Sequence, residues 1–125
     1  MSEQDMPGGE LLVILRHAPH GSSWLREGLD AALVAAAFER RVSLLFMGEG
    51  VTALLDGQQA GALEQKGTAP TLAMLEMYDI DALLVEDEAM RRLGLGEDDL
   101  MLPVRRVGGE AIPGLLAAHQ LVLNF

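Results

Sequence analysis

The chain turns on residues 11–23, which read Leu11-Leu12-Val13-Ile14-Leu15 and then Arg16-His17-Ala18-Pro19-His20-Gly21-Ser22-Ser23. The first five are apolar without interruption, the pattern of a strand covered on both faces rather than one. Such a strand belongs to a parallel sheet, and parallel neighbours need a crossover between them. The next stretch supplies it. Leu25, Leu29, Ala32, Leu33, Ala36 and Ala37 fall on one stripe at helical spacing. Ser22 or Ser23 stands where a cap is wanted, and Glu27 lies in the first turns, where the dipole favours an acid. The spacing predicts a helix to about Arg40, with Arg40 and Arg41 at the end that favours cations.

The same alternation continues outward. Val42-Ser43-Leu44-Leu45-Phe46-Met47 reads as a second buried strand ended by Gly48. A short helix is expected over Val51 to Leu55, then a surface loop over Gln58 to Gly67. Pro70 can open a helix carrying Leu72, Met74, Leu75 and Met77, which ends at Tyr78-Asp79. Ala82-Leu83-Leu84-Val85 is a third strand, and Asp87 to Leu93 a helix closed by Gly94. An acidic loop, Leu95 to Leu102, leads to a weak strand near an edge, Pro103 to Val107. A last helix over Glu110 to His119, interrupted by Pro113-Gly114, precedes a closing strand, Leu121 to Phe125. The fold class is therefore α/β, a three-layer α/β/α arrangement of flavodoxin-like size on a mostly parallel five-stranded sheet.

Composition narrows the function. The chain has 125 residues, enough for one domain over 1–125 that buries about two-thirds of its surface. Residues 1–9 are polar or turn-forming and are expected to fray. There is no cysteine, which removes disulfides, thiolate metal sites and cysteine catalysis. The net charge of −10 is the reverse of what a nucleic-acid binder or an anionic-membrane binder needs, so neither partner is expected directly. The first apolar run is too short for a signal-peptide core or a membrane span, and a cytoplasmic location is the expectation.

The loop after the first strand is the leading site for chemistry, because ligands of parallel sheets bind beyond the carboxyl ends of the strands. Arg16, His17, His20, Gly21, Ser22 and Ser23 could form an anion site at a helix start. The competing reading is that Pro19 and Gly21 shape the turn and a serine caps the helix. Arg16-His17 also resembles the opening of the histidine-phosphatase signature, whose histidine accepts a phosphoryl group. Here Ala18-Pro19 replace its glycine, and only His20 and His119 remain for a second catalytic histidine. No glycine pattern fits a dinucleotide or P-loop site, and the first loop has only two hydroxyls for a flavin phosphate. No cofactor is expected. The acidic clusters Glu76, Asp79 and Asp81, Glu86-Asp87-Glu88, and Glu97-Asp98-Asp99 match no metal-binding spacing and read as helix starts and loops. No convincing catalytic set emerges, which points to binding or assembly.

Taken together, Ala18-Pro19-His20-Gly21, Arg26-Glu27-Gly28-Leu29-Asp30, Leu54-Leu55 with Gly57-Gln58, Met77-Tyr78-Asp79-Ile80 and Arg91-Arg92-Leu93-Gly94-Leu95 resemble the DsrE/DsrF family of bacterial sulfur-relay subunits. The resemblance covers roughly residues 10–125 and lies on the DsrF-like side. It implies a cytoplasmic heterohexamer with TusB-like and TusD-like subunits, each chain present twice. That assembly receives persulfide sulfur through TusA and passes it to TusE and then to the thiouridylase MnmA, for 2-thiouridine at the tRNA wobble position. In the family the sulfur-carrying cysteine belongs to the TusD-like subunit, after its third strand. The corresponding stretch here is Val85-Glu86-Asp87-Glu88, so Glu86 replaces that cysteine and the chain is expected to be a non-catalytic scaffold. Met74, Met77, Tyr78 and the closing strand with Phe125 are candidate contact surfaces, as is the loop from His17 through Pro19, His20, Gly21 and Ser22 to Ser23. A DsrF-type subunit acting with DsrE and DsrH in sulfur oxidation is the neighbouring alternative. A stand-alone domain that binds a small anion or phosphate ester in the first loop is the other.

Overall fold

The computed structural model describes residues 7–20, 22–55, 69–80 and 82–125. Gly21, Asp81, residues 1–6 and the expected surface loop from Gln58 to Gly67 lie outside them. Five strands form one sheet: β1 (Gly9–Leu15), β2 (Val42–Phe46), β3 (Ala82–Glu86), β4 (Arg105–Val107) and β5 (His119–Asn124). Every pairing is parallel, in the order β4-β3-β2-β1-β5. The helices are α1 (Trp24–Ala37), α2 (Ala69–Ala73), α3 (Asp87–Leu93) and α4 (Ile112–Ala117), with 3-10 helices at Gly48–Leu54, Glu76–Tyr78, Glu97–Asp99 and Gly109–Ala111.

The strand order dictates the layers. From β1 to β4 the chain steps across the sheet in one direction, and right-handed crossovers then put α1, α2 and α3 on the same face. The return to β5 runs the other way and carries α4 over the opposite face. Alternate residues feed the two cores. Leu11, Val13, Leu15, Leu44, Phe46 and Val85 pack with Leu25, Leu29, Leu72 and Met90. Leu12, Ile14, Leu45, Leu84 and Val107 pack with Leu115. Double coverage is why the strands read as continuous apolar runs.

Several elements differ in extent from the sequence expectation. β1 begins at Gly9 rather than Leu11, because the Gly9 amide bonds the Ala118 carbonyl at 3.3 Å and Leu11 bonds the Arg41 carbonyl at 3.1 Å. The short helix expected over Val51 to Leu55 is a 3-10 helix that already begins at Gly48 and ends at Leu54. The helix opened by Pro70 breaks after Ala73, and the 3-10 turn that follows closes on Asp79 in the left-handed region. β5 starts at His119, two residues early. The His119 ring is buried, with Nδ1 at 2.8 Å from the Leu115 carbonyl and Nε2 at 2.8 Å from Ser43 Oγ. The last helix is correspondingly shorter, Ile112–Ala117 with Pro113 in its first turn. Among the described residues no helix is long and apolar enough to cross a membrane.

Candidate functional site

The carboxyl ends of β1 and β5 open on a cleft of about 470 Å³ lined by Arg16, His17, Trp24, Asn124 and Phe125. Its walls follow from the backbone. The Phe125 amide donates to the Ile14 carbonyl, and the Arg16 amide donates to the Phe125 carbonyl, both at 2.8 Å, so the two strand ends stay zipped beyond their formal limits. Phe125 then lies across Gly28 of α1, where an added Cβ would be 3.1 Å from its ring. His17 stacks on Trp24 with ring centroids 5.7 Å apart and planes 22° from parallel. Among the described residues every lining side chain is neutral or basic, in a chain of net charge −10.

The expected loop residues divide around this cleft. His17 lines it, Pro19 is half-buried, and His20, Ser22 and Ser23 are exposed. Gly21 is outside the described residues. Ser23 occupies the cap position of α1, yet its side chain makes no capping bond. The serine-cap reading is therefore not realised. His119 sits at the opposite, amino-terminal end of the strands, paired with Gly9. The length of β1, about 20 Å at 3.3 Å per residue, separates it from the first loop. The structure therefore keeps His119 away from His17.

Glu86 ends β3 and faces the turn that leaves β2. Its Oε1 accepts a hydrogen bond from the Gly48 amide at 3.0 Å. Gly48 adopts φ +53°, a conformation that favours glycine, and a Cβ at Gly50 would overlap the Leu15 carbonyl oxygen. Together Glu86 and the two glycines draw the 3-10 helix tightly onto the ends of β1, β2 and β3. Asp87 bonds Arg106 Nε at 2.6 Å and Arg91 Nη2 at 2.8 Å. Asp99 accepts the Gly96 amide at 2.8 Å. These acids are thus structural, and no group of three or more His, Asp or Glu among the described residues could hold a metal ion.

Of the candidate contact residues, Met77 is 80% exposed, while Met74 and Tyr78 are exposed to a lesser degree. The sequence reading missed Trp24 and Asn124 in the cleft, and Val34 on α1 with Phe38 just past its end, 57% and 76% exposed. A signal for the last pair was available. Val34 and Phe38 are four residues apart and lie opposite the buried stripe of the helix.

The profile of the DsrE/DsrF-like family matches residues 10–125. The Protein TusC homolog of Vibrio vulnificus is 35% identical over 116 residues, covering 93% of this chain and 98% of that one. The Protein TusC homolog of Pseudomonas aeruginosa is 35% identical over 114 residues, covering 91% and 96%. The Protein TusC of Klebsiella pneumoniae is 33% identical over 113 residues, covering 90% and 95%. Among solved structures, the ychN protein from E. coli superposes with a TM-score of 0.77 at 22% identity, over 93% of this chain and 98% of that chain. That likeness is one of fold.

Proposed function

The chain belongs to the DsrE/DsrF-like family, and from that premise we propose that it is the non-catalytic, TusC-type subunit of a cytoplasmic sulfur relay. It assembles with TusB-like and TusD-like subunits, two copies of each, and supports the supply of persulfide sulfur for 2-thiouridine formation in tRNA. It holds no sulfur itself and does not touch the tRNA.

The observation that carries this reading is Glu86. At the place where the family resemblance puts a sulfur-carrying subunit's cysteine, this chain has a carboxylate engaged with the Gly48 amide at 3.0 Å. A carboxylate cannot form a persulfide. Its charge would also disfavour a neighbouring thiolate, the species that accepts sulfur. At this position Glu86 does architectural work instead, joining the end of β3 to the turn after β2. A subunit built this way acts through what it binds and positions.

Co-expression tests the reading. This chain alone carries a tag, and the TusB-like and TusD-like subunits of the same genome are untagged. Affinity capture followed by size exclusion with light scattering should return one species holding two copies of each chain. A folded monomer that captures neither subunit would overturn the reading.

A further inference from the structure

We propose that the outer face of α1, continuous with the 3-10 turn Glu76–Tyr78, is a docking surface for a partner subunit whose contact face is apolar at its centre and lined with lysine or arginine at its rim. The inference rests on the sulfur-relay reading and specifies which face that assembly uses.

Two elements build the surface. The stripe Leu25, Leu29 and Ala32 turns α1 onto the sheet. Gly28 on one flank faces Phe125 of the closing strand. The 3-10 turn Glu76–Tyr78 touches α1 and must therefore meet the other flank, where Leu33 and Ala37 lie at helical spacing. By helical spacing Ala37, which is exposed, lies between that flank and the outer side that carries Val34. Exposures of 57% at Val34, 76% at Phe38 and 80% at Met77 put large apolar side chains in water on neighbouring elements. Isolated exposed leucines are ordinary, but a joined aromatic, aliphatic and methionine surface is the composition of an interface centre.

Charge selects the occupant. Glu27, Asp30, Glu76 and Asp79 are exposed on the same two elements. The cations that follow the helix are Arg40 and Arg41, and Arg40 is drawn to Glu10 at 3.2 Å. Arg26 is an exposed cation on α1 itself, and Glu39 adds an exposed acid just beyond it, so carboxylates outnumber arginines and the rim carries a net negative charge. A second copy docked face to face would oppose carboxylates to carboxylates, on chains already at −10. A basic-rimmed partner meets the same surface with complementary charge.

The test titrates purified TusB-like and TusD-like subunits with the wild-type chain and with Phe38→Glu, Met77→Glu, Val34→Asp and the pair Glu76→Lys with Asp79→Lys, each checked for an unchanged circular dichroism spectrum. A buried charge at an interface centre should weaken association at least about tenfold for each of the first three variants. The lysine pair should weaken it and flatten its salt dependence. Leu116→Glu, on α4 across the sheet, should bind as the wild type does. Assembly by the wild type with undiminished assembly by all three apolar-face variants would overturn this face while leaving the sulfur-relay reading intact. Failure of the wild type to assemble would overturn both. Self-association of the chain that Phe38→Glu abolishes would replace the partner with a second copy.

Discussion

The Glu86 carboxylate accepts a hydrogen bond from the Gly48 amide at 3.0 Å, tying the end of β3 to the turn that leaves β2. The bond is part-buried and its acceptor is charged, the class of hydrogen bond whose loss is felt most. Glu86→Ala should destabilise the chain by about 1.5–2 kcal/mol in urea denaturation. Glu86→Gln keeps an acceptor and should lose less than about 1 kcal/mol. Equal, negligible losses in both variants would mean that Glu86 has no structural duty.

Gly50 makes a second, steric demand on the same turn. A methyl group there would overlap the Leu15 carbonyl oxygen, which already accepts the Met47 amide at 2.9 Å and cannot move without disturbing β1. Gly50→Ala should therefore destabilise by about 3 kcal/mol or more, the upper range for overpacking. A variant with a wild-type melting temperature would contradict the close approach.

His119 is buried between two partners, Leu115 and Ser43. A carbonyl oxygen can only accept, so Nδ1 carries a proton and, in the neutral ring, Nε2 accepts from the Ser43 hydroxyl. Nitrogen-15 shifts of the imidazole should report that tautomer. Ser43→Ala strands Nε2 beneath α4 and should cost about 1–2 kcal/mol. A ring protonated only at Nε2 would contradict the arrangement.

The stack of His17 on Trp24 is open to solvent, with Trp24 49% exposed. His17→Ala should leave stability within about 1 kcal/mol while shifting the emission of Trp24, the chain's single tryptophan, to the red. Any phosphate-ester hydrolysis by the purified chain should be unchanged in that variant, since among the described residues no second histidine lines the cleft beside His17. A His17-dependent hydrolysis would revive the phosphatase-like reading.

Much of the fold was legible because both faces of the sheet are covered. Double coverage makes Leu11 to Leu15 and Leu44 to Phe46 apolar without a break, and strands of that kind announce a parallel sheet. The weak segment around Arg105 and Arg106 proved to be the short edge strand its polarity suggested. What was hidden depends on distant partners. Nothing near His119 signals that it opens a strand, because its partner Ser43 is 76 residues away. Gly48 reads as a simple strand end and Gly50 carries no signal of its own, although the Leu15 carbonyl and Glu86 are what require glycine and a tight turn there. The first-loop site was half legible for the same reason. Arg16 and His17 follow the first strand directly, whereas Asn124 and Phe125 reach the cleft only through pairing of β5 with β1. The outward pair Val34 and Phe38 could have been read from helical spacing alone.

Sulfur transfer through the reconstituted relay tests the central claim most directly. Labelled sulfur is supplied from a cysteine desulfurase through TusA to the TusB-like and TusD-like subunits, with and without this chain, and its arrival on TusE is followed over time. The account predicts that label never resides on this chain, that arrival on TusE falls at least about tenfold when the chain is left out, and that Glu86→Gln restores it as well as the wild type does. Equal transfer in the presence and absence of the chain would contradict the account.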